Sequence, residues 1–261
     1  MIRMLIAFLV ALPLALPAQA AQICRGYGPQ TPRDISMPKG RNTQSFPMAP
    51  ARTDMNLCNI HTHTNAEHRG PGFSVSAGDG PHGGWKCNET ENLTAQELED
   101  PAHGRGAFKG VKPGDTIEVH WVFSSCDVTP GPGLGSCLSK ACANPVLRVE
   151  SQVFLVVNDD RAEDFMDYVH QGHMSNGRPQ PRALPEVTGP PVVFRGSTTG
   201  TSYNHAICSP LQVTWSVRPM CLKVNYRSLL NWVVNGNVFE EDHSHGVRPL
   251  VTSLELLAPI E

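Results

Sequence analysis

The chain has no Cys-x-x-Cys pair, no cluster of lysines and arginines, no internal repeat or heptad, and no long charge run. Each absence removes a class of function. Without paired cysteines a zinc site made of thiolates is unsupported. Without a basic patch, and with a formal net charge of −3, neither nucleic acid nor an anionic membrane is an expected partner. A membrane span needs about 20 apolar residues; the run from Leu5 to Leu16 falls short and no later segment comes close. A small-molecule role is the default, and 261 residues suit one generous domain.

What is present points first to export. Met1 and Arg3 precede the apolar run, and Ala18-Gln19-Ala20 supplies the small-x-small pattern of a signal-peptidase site, so cleavage after Ala20 is expected. The protein is then periplasmic or secreted, with no membrane attachment after cleavage. Eight cysteines follow the cleavage site: Cys24, Cys58, Cys87, Cys126, Cys137, Cys142, Cys208 and Cys221. In an oxidising compartment an even number reads as disulfides, although eight thiols allow about 105 full pairings and the sequence does not choose among them. Two glycosylation sequons, at Asn88 and Asn92, matter only if the source glycosylates exported proteins.

The expected organisation is a signal peptide over 1–20, an extended Pro- and Gly-rich arm over 21–55, and a metal-binding catalytic domain over 56–261. The fold class is mainly β with a few short helices, in a single domain built on a large, mostly antiparallel sheet. "VKPGDTIEVHWVF" is a turn followed by alternation, with Ile117, Val119 and Trp121 on one face and Glu118, His120 and Val122 on the other. "VESQVFLVVND" is more continuously apolar and reads as a deeply buried strand. "LQVTWSVRP" and "VTSLELLA" give further strands, and "YRSLLNWVV" a helix packed on the sheet. "DDRAEDFMDYVHQG" carries the marks of a short helix, from its acidic first turn to Gly172 as a stop. "CDVTPGPGLGSCLSKAC" is a loop pinned by its cysteines.

Chemistry concentrates in "NLCNIHTHTNAEHRGPGF". Residues two apart in a strand point the same way, so His61 and His63 offer two imidazoles to one side, half of a tetrahedral zinc site. His120, on the polar face of its strand, is the natural third ligand, with Glu118 beside it to accept the remaining ring N–H. His68 is the alternative third ligand. His103, His170, His173 and His205 read as solvated surface histidines, and His243 and His245 in "EEDHSHG" as a surface turn or an adventitious metal site.

Taken together, "NIHTHTNAEH", "GDTIEVHWV", "FRGSTTG" and "CSPLQVTWSV" resemble the delta-class carbonic anhydrases and echo the alpha class in motif order. The resemblance covers about two thirds of the chain, in pieces, and implies an alpha-carbonic-anhydrase-like sheet. It also implies Zn2+ as cofactor, with Co2+ or Cd2+ as possible substitutes, and reversible hydration of carbon dioxide to bicarbonate by a metal-bound hydroxide. His61, His63 and His120 become the metal ligands, with Glu118 behind His120. Glu67 with Thr199 orients the hydroxide, and Val213 and Trp215 fall on the strand that walls the site. Val119, Val122 and Trp121 join those two as candidates for the apolar wall, and His68 or His82 for proton transfer to solvent. A long insertion between His63 and His120, and a Glu67-His68 pair close to the first two ligands, favour delta over alpha; Gly200-Thr201 replaces the alpha-class Pro-Pro. A cupin-type metalloprotein, in which Glu67 would be a ligand, and a non-enzymatic exported metal binder are the other readings. The oligomeric state and the metal loaded in the cell are not legible.

Overall fold

The computed structural model describes residues 23–261, so the expected signal peptide lies outside the described residues. In chain order the strands are β1 (Asn56–Thr64), β2 (Val75–Ser76), β3 (Trp85–Lys86), β4 (Thr116–Ser124), β5 (Leu147–Val157), β6 (Met174–Ser175), β7 (Arg178–Pro179), β8 (Val192–Ser197), β9 (Gln212–Val217) and β10 (Leu222–Asn225). The helices are α1 (Ala95–Leu98) and α2 (Tyr226–Val234). Six strands make the main sheet in the order β1-β4-β5-β9-β8, with β10 also beside β5; the other four strands form two small hairpins.

The fold is mainly β, and the large sheet is mixed. The pairs β1–β4, β4–β5 and β8–β9 are antiparallel, whereas β5–β9 and β5–β10 are parallel. Antiparallel β4 lies along one side of β5 and parallel β9 and β10 follow one another along the other, so β5 is central and buried, and its second half, Val153–Val157, is continuously apolar.

Alternation along the strands sorts the core onto the two faces of the sheet. Ile60, Ile117, Val119, Trp121 and Phe154 pack on one face with Leu229 and Trp232 of α2. Val122, Val153, Leu155, Val213 and Trp215 pack on the other. Burying each large apolar side chain stabilises the fold by about 1.5–3 kcal/mol. The α2 helix begins at Asn225, whose side chain accepts from the Arg227 N–H, and lays Tyr226, Leu229 and Trp232 on the sheet.

Two expected elements are corrected. Residues 159–172 hold a single 3-10 turn, Phe165–Asp167, in place of a helix. Glu163 is drawn to the sheet edge instead: its N–H donates to the Lys223 carbonyl and its carbonyl accepts from the Asn225 N–H, while the Phe165 N–H donates to Ser228 Oγ. The stretch 251–258 holds a 3-10 turn, Leu254–Leu256, and no strand. Its carbonyls serve the N-terminal arm, with Gln30, Arg41 and Asn42 donating to Leu256, Leu254 and Leu257.

All eight cysteines pair, as Cys24–Cys208, Cys58–Cys137, Cys87–Cys221 and Cys126–Cys142. The Cys126–Cys142 bridge closes the base of the Gly/Pro-rich loop, and Cys58–Cys137 ties that loop to β1. Among the described residues no helix is long and apolar enough to cross a membrane.

Candidate metal centre

Sheet register builds the centre. In the β1–β4 ladder His61 lies directly opposite His120, and His63 opposite Glu118. Directly opposed residues on one face have Cβ atoms about 4.5–5.5 Å apart, so two short motifs 59 positions apart in sequence become one cluster. A bulge between Leu57 and Asn59 resets β1 just before its histidines. His63, His120, Glu118, Glu67 and His68 are buried, and His61 is half-buried.

Each of the three imidazoles turns one nitrogen to an oxygen and the other inward. His61 Nδ1 is 2.7 Å from Asn59 Oδ1 and His63 Nδ1 is 3.1 Å from the Gly246 carbonyl, whereas His120 Nε2 lies 3.3 Å from Glu118 Oε1 without the geometry of a hydrogen bond. The inward nitrogens converge: His61 Nε2 and His120 Nδ1 are 3.2 Å apart, and His63 Nε2 is buried with no hydrogen-bond partner. Two ligands of a tetrahedral zinc at about 2.0–2.1 Å would stand about 3.3 Å apart. His61, His63 and His120 each offer a ring nitrogen within 4.8 Å of the others, so the three could hold one ion.

Electrostatics suit a cation bound by neutral rings. Burial lowers all three histidines; His61 falls well below its usual value, with the neighbouring rings adding to the effect, and His63 falls to about 4. Burial alone would push the Glu118 carboxyl up, but the adjacent His68 and His120 hold it well below the usual carboxylate range. Glu118 is also hydrogen-bonded by the Glu67 N–H at 2.6 Å and the Ser151 hydroxyl at 2.6 Å. Glu67 goes the other way, raised by burial, with neighbouring Glu118 adding to the rise.

His68, the rival third ligand, sits differently. It is fully buried, its Nδ1 is 2.8 Å from Glu118 Oε1 and its Nε2 is 3.0 Å from Thr31 Oγ1, so both nitrogens are engaged away from His61 and His63. His68, Glu118 and His120 form a second close group, sharing His120 with the first. Neither oxygen of Glu67 reaches Thr199: Oε1 accepts from the Arg248 N–H at 3.2 Å and Oε2 is buried without a partner. Thr198 is committed elsewhere, its hydroxyl 2.5 Å from Ser209 Oγ.

A cavity of ≈ 500 Å³ opens above the cluster, lined by His61, His63, Leu134, Thr199, His245 and Gly246 among others. Behind it a narrow apolar pocket lies against His61, His120, Val122, Thr199, Val213 and Trp215. Of the five apolar candidates, Val122, Val213 and Trp215 face this pocket, whereas Val119 and Trp121 point into the core on the opposite face of the sheet.

His245 is exposed, as the surface-turn reading expects, but it also stands beside the centre: its ring centroid is 6.1 Å from those of both His61 and His63, and its Nε2 is 3.1 Å from Glu241 Oε2. The Glu241 bond raises the pKa of His245 against the effect of burial. The one available signal was the His-x-His spacing itself. His82, by contrast, is exposed, and His170 is buried with Nδ1 on the Gln180 carbonyl.

The delta carbonic anhydrase family model matches residues 52–228, more than half of the chain. Comparison with curated protein sequences finds no match. Among solved structures, a hyperthermostable carbonic anhydrase identified from an active hydrothermal vent chimney aligns over 89% of this chain and 86% of its own, at 12% identity and a TM-score of 0.34. The alpha-carbonic anhydrase from Thermovibrio ammonificans, solved with the inhibitor sulfanilamide, aligns over 84% of this chain and 86% of its own, at 14% identity and a TM-score of 0.29. The Photobacterium profundum alpha-carbonic anhydrase aligns over 89% and 88%, at 16% identity and a TM-score of 0.29. By the family match the chain belongs to the delta carbonic anhydrases, and is an enzyme of that class.

Proposed function

We propose that this protein hydrates carbon dioxide reversibly to bicarbonate with a zinc ion held by His61, His63 and His120. The observation that carries the reading is the convergence of three imidazole nitrogens at the floor of a cavity, with His61 and His63 each hydrogen-bonded to an oxygen and His120 Nε2 3.3 Å from the Glu118 carboxylate. Zinc bound by neutral histidines is a Lewis acid that lowers the pKa of a coordinated water to about 7; Co2+ or Cd2+ would suit the same donors.

The chain's own groups do the rest. Asn59, the Gly246 carbonyl and Glu118 fix the ring orientations of His61, His63 and His120 and raise their basicity. Val122, Val213 and Trp215 offer an apolar surface to a substrate with no charge to grip. Thr199 stands where this surface meets the polar cavity. In this reading its hydroxyl, which does not reach Glu67 in this structure, turns onto the unpartnered Glu67 Oε2 when substrate is bound, leaving its oxygen free to accept from the nucleophile and so aim it, a positioning contribution. His68 serves Glu118 in this reading and has no path to solvent.

The same proposal includes export, with a leader over 1–20, an arm over 21–55 and the catalytic region over 56–261; four disulfides support it. The test is carbon dioxide hydration by metal-loaded and chelated protein, with zinc content measured on the same samples. Activity that follows zinc supports the reading. A loaded but inactive protein would be a metal binder only, and metal lost in Glu67→Gln would indicate a cupin-type centre.

A further inference from the structure

All but the last four residues of the N-terminal arm lie outside the stretch that matches the family, yet the arm reaches the metal centre at Thr31. Thr31 is fully buried, and its hydroxyl is 3.0 Å from His68 Nε2. Among the described residues that hydroxyl has no other hydrogen-bond partner. Beyond it His68 Nδ1 is 2.8 Å from Glu118 Oε1, and the same oxygen is 3.3 Å from His120 Nε2. A chain of buried polar groups therefore runs from the arm through His68 and Glu118 to a residue of the three-histidine cluster.

We propose that Thr31 is a positioning residue: its hydroxyl donates to His68 Nε2 and fixes His68 as the neutral tautomer that carries its proton on Nδ1. The proton inventory decides the direction. Glu118 is an acceptor at both oxygens, Oε2 from the Glu67 N–H and Oε1 from the Ser151 hydroxyl, so the ring atom facing Oε1 must carry a hydrogen. A neutral imidazole then has an acceptor at its other nitrogen, and the group facing that acceptor must donate. The Thr31 hydroxyl has no other acceptor, so donation to Nε2 satisfies both groups. The opposite tautomer would set the Nδ1 lone pair against a carboxylate oxygen. A doubly protonated ring would leave the Thr31 proton unpaired in the interior.

Held this way, the Nδ1–H keeps the Glu118 carboxylate beside His120 Nε2. The arm's placement does not depend on the Thr31 hydroxyl. Gln30 donates to the Ser209 carbonyl and accepts from the Ser209 N–H and the Ser197 hydroxyl, and the Thr31 carbonyl accepts from Arg248. Strand β8 closes over the residue from one side, since a Cβ built on Gly196 would lie 3.1 Å from Thr31 Cβ. Removing the hydroxyl alone should therefore leave the arm seated.

The inference rests on the zinc reading above only for its consequence; the tautomer can be read without metal. Nitrogen-15 NMR of the His68 ring in metal-free protein at neutral pH, assigned through the His68 backbone, is expected to show a protonated Nδ1 and an unprotonated, hydrogen-bonded Nε2. A ring protonated at Nε2, or at both nitrogens, overturns the proposal. Zinc affinity is then measured by competition with a fluorescent chelator. Thr31→Val should weaken it by about 3- to 10-fold, less than the 10- to 100-fold typical of groups bonded directly to a ligand, and Thr31→Ser should stay within about twofold of the parent. Equal affinity in Thr31→Val, or a loss in Thr31→Ser matching that in Thr31→Val, also overturns it. If Thr31→Val fails to fold, the parent ring spectrum decides alone. Failure of the parent protein to bind zinc would sink the proposed function and leave the tautomer result standing.

Discussion

Glu67 and Arg248 are joined through the backbone: the Arg248 N–H donates to Glu67 Oε1 over 3.2 Å, while Oε2 of the same carboxylate is buried without a partner. A buried acceptor left unpaired is costly, so a donor is wanted at Oε2. The Thr198 hydroxyl is engaged with Ser209, which leaves Thr199, on the cavity edge, as the hydroxyl free to serve. Glu67→Gln should therefore retain zinc and lower kcat/KM by about 10- to 100-fold, because an amide donates where only acceptance is useful. Thr199→Ala should behave alike, and the double variant should cost little more than either single change. Strictly additive losses would mean the two residues are not partners.

Replacing His61, His63 or His120 by Ala should each remove most of the zinc and the hydration activity. His103→Ala and His205→Ala should do neither. Glu118→Gln should weaken zinc binding by about 10- to 100-fold without abolishing it. A site that empties in His68→Ala but stays loaded in His120→Ala would reverse the choice of third ligand. Metal analysis after dialysis gives the answer for every variant.

The metal-free protein should lose stability as the pH falls from 7 to 5. Burial holds the His63 ring neutral down to about 4, and depresses His61 and His120 as well. Their counterparts in the unfolded chain take up protons near pH 6.5. Between about 6.5 and 4 the unfolded state thus binds protons that the folded state refuses, so folding weakens as protons are added. His245 works in the opposite sense, because its raised pKa gives a contribution present in acid and lost above that pKa. Glu67, raised by burial, acts in the same sense as His245, and the three depressed histidines outweigh these two. A metal-free Tm that is flat, or higher at pH 5 than at pH 7, would contradict this balance.

How much of this was legible depended on distance along the chain. The alternation of Thr116–Ser124 placed Glu118, His120 and Val122 on one face, and the sheet keeps them there. That face is not solvated: every residue of the strand is buried, so its polar side chains mark a site and not an exposed surface. The direct opposition of His61 and His120 was hidden, because register is a long-range fact. Thr31 and Arg248 were hidden for the same reason, their partners lying 37 and 217 positions away. The missed helix over 159–172 shows the converse: local signals favoured it, and pairing of Glu163 with the sheet edge won.

The Cys58–Cys137 bridge should matter more to the metal centre than Cys24–Cys208 does. Cys58 lies three residues before His61 on β1, and Cys137 ends the 3-10 turn Leu134–Cys137, whose Leu134 lines both the cavity and the apolar pocket. The bridge thus fixes the ligand strand and the cavity wall to one another. Replacing both of its cysteines by Ser should lower stability by about 2–5 kcal/mol, the range for a native disulfide. It should also speed zinc release to a chelator, because the loop can then leave β1 and open the cavity. The Cys24–Cys208 bridge joins the arm to the 198–211 loop without touching the ligand strand, so its removal should lower Tm and leave zinc release nearly unchanged. Release rates measured below the Tm of each variant separate the two effects. Equal rates in the two variants would show that Cys58–Cys137 stabilises the fold as a whole and has no particular hold on the centre.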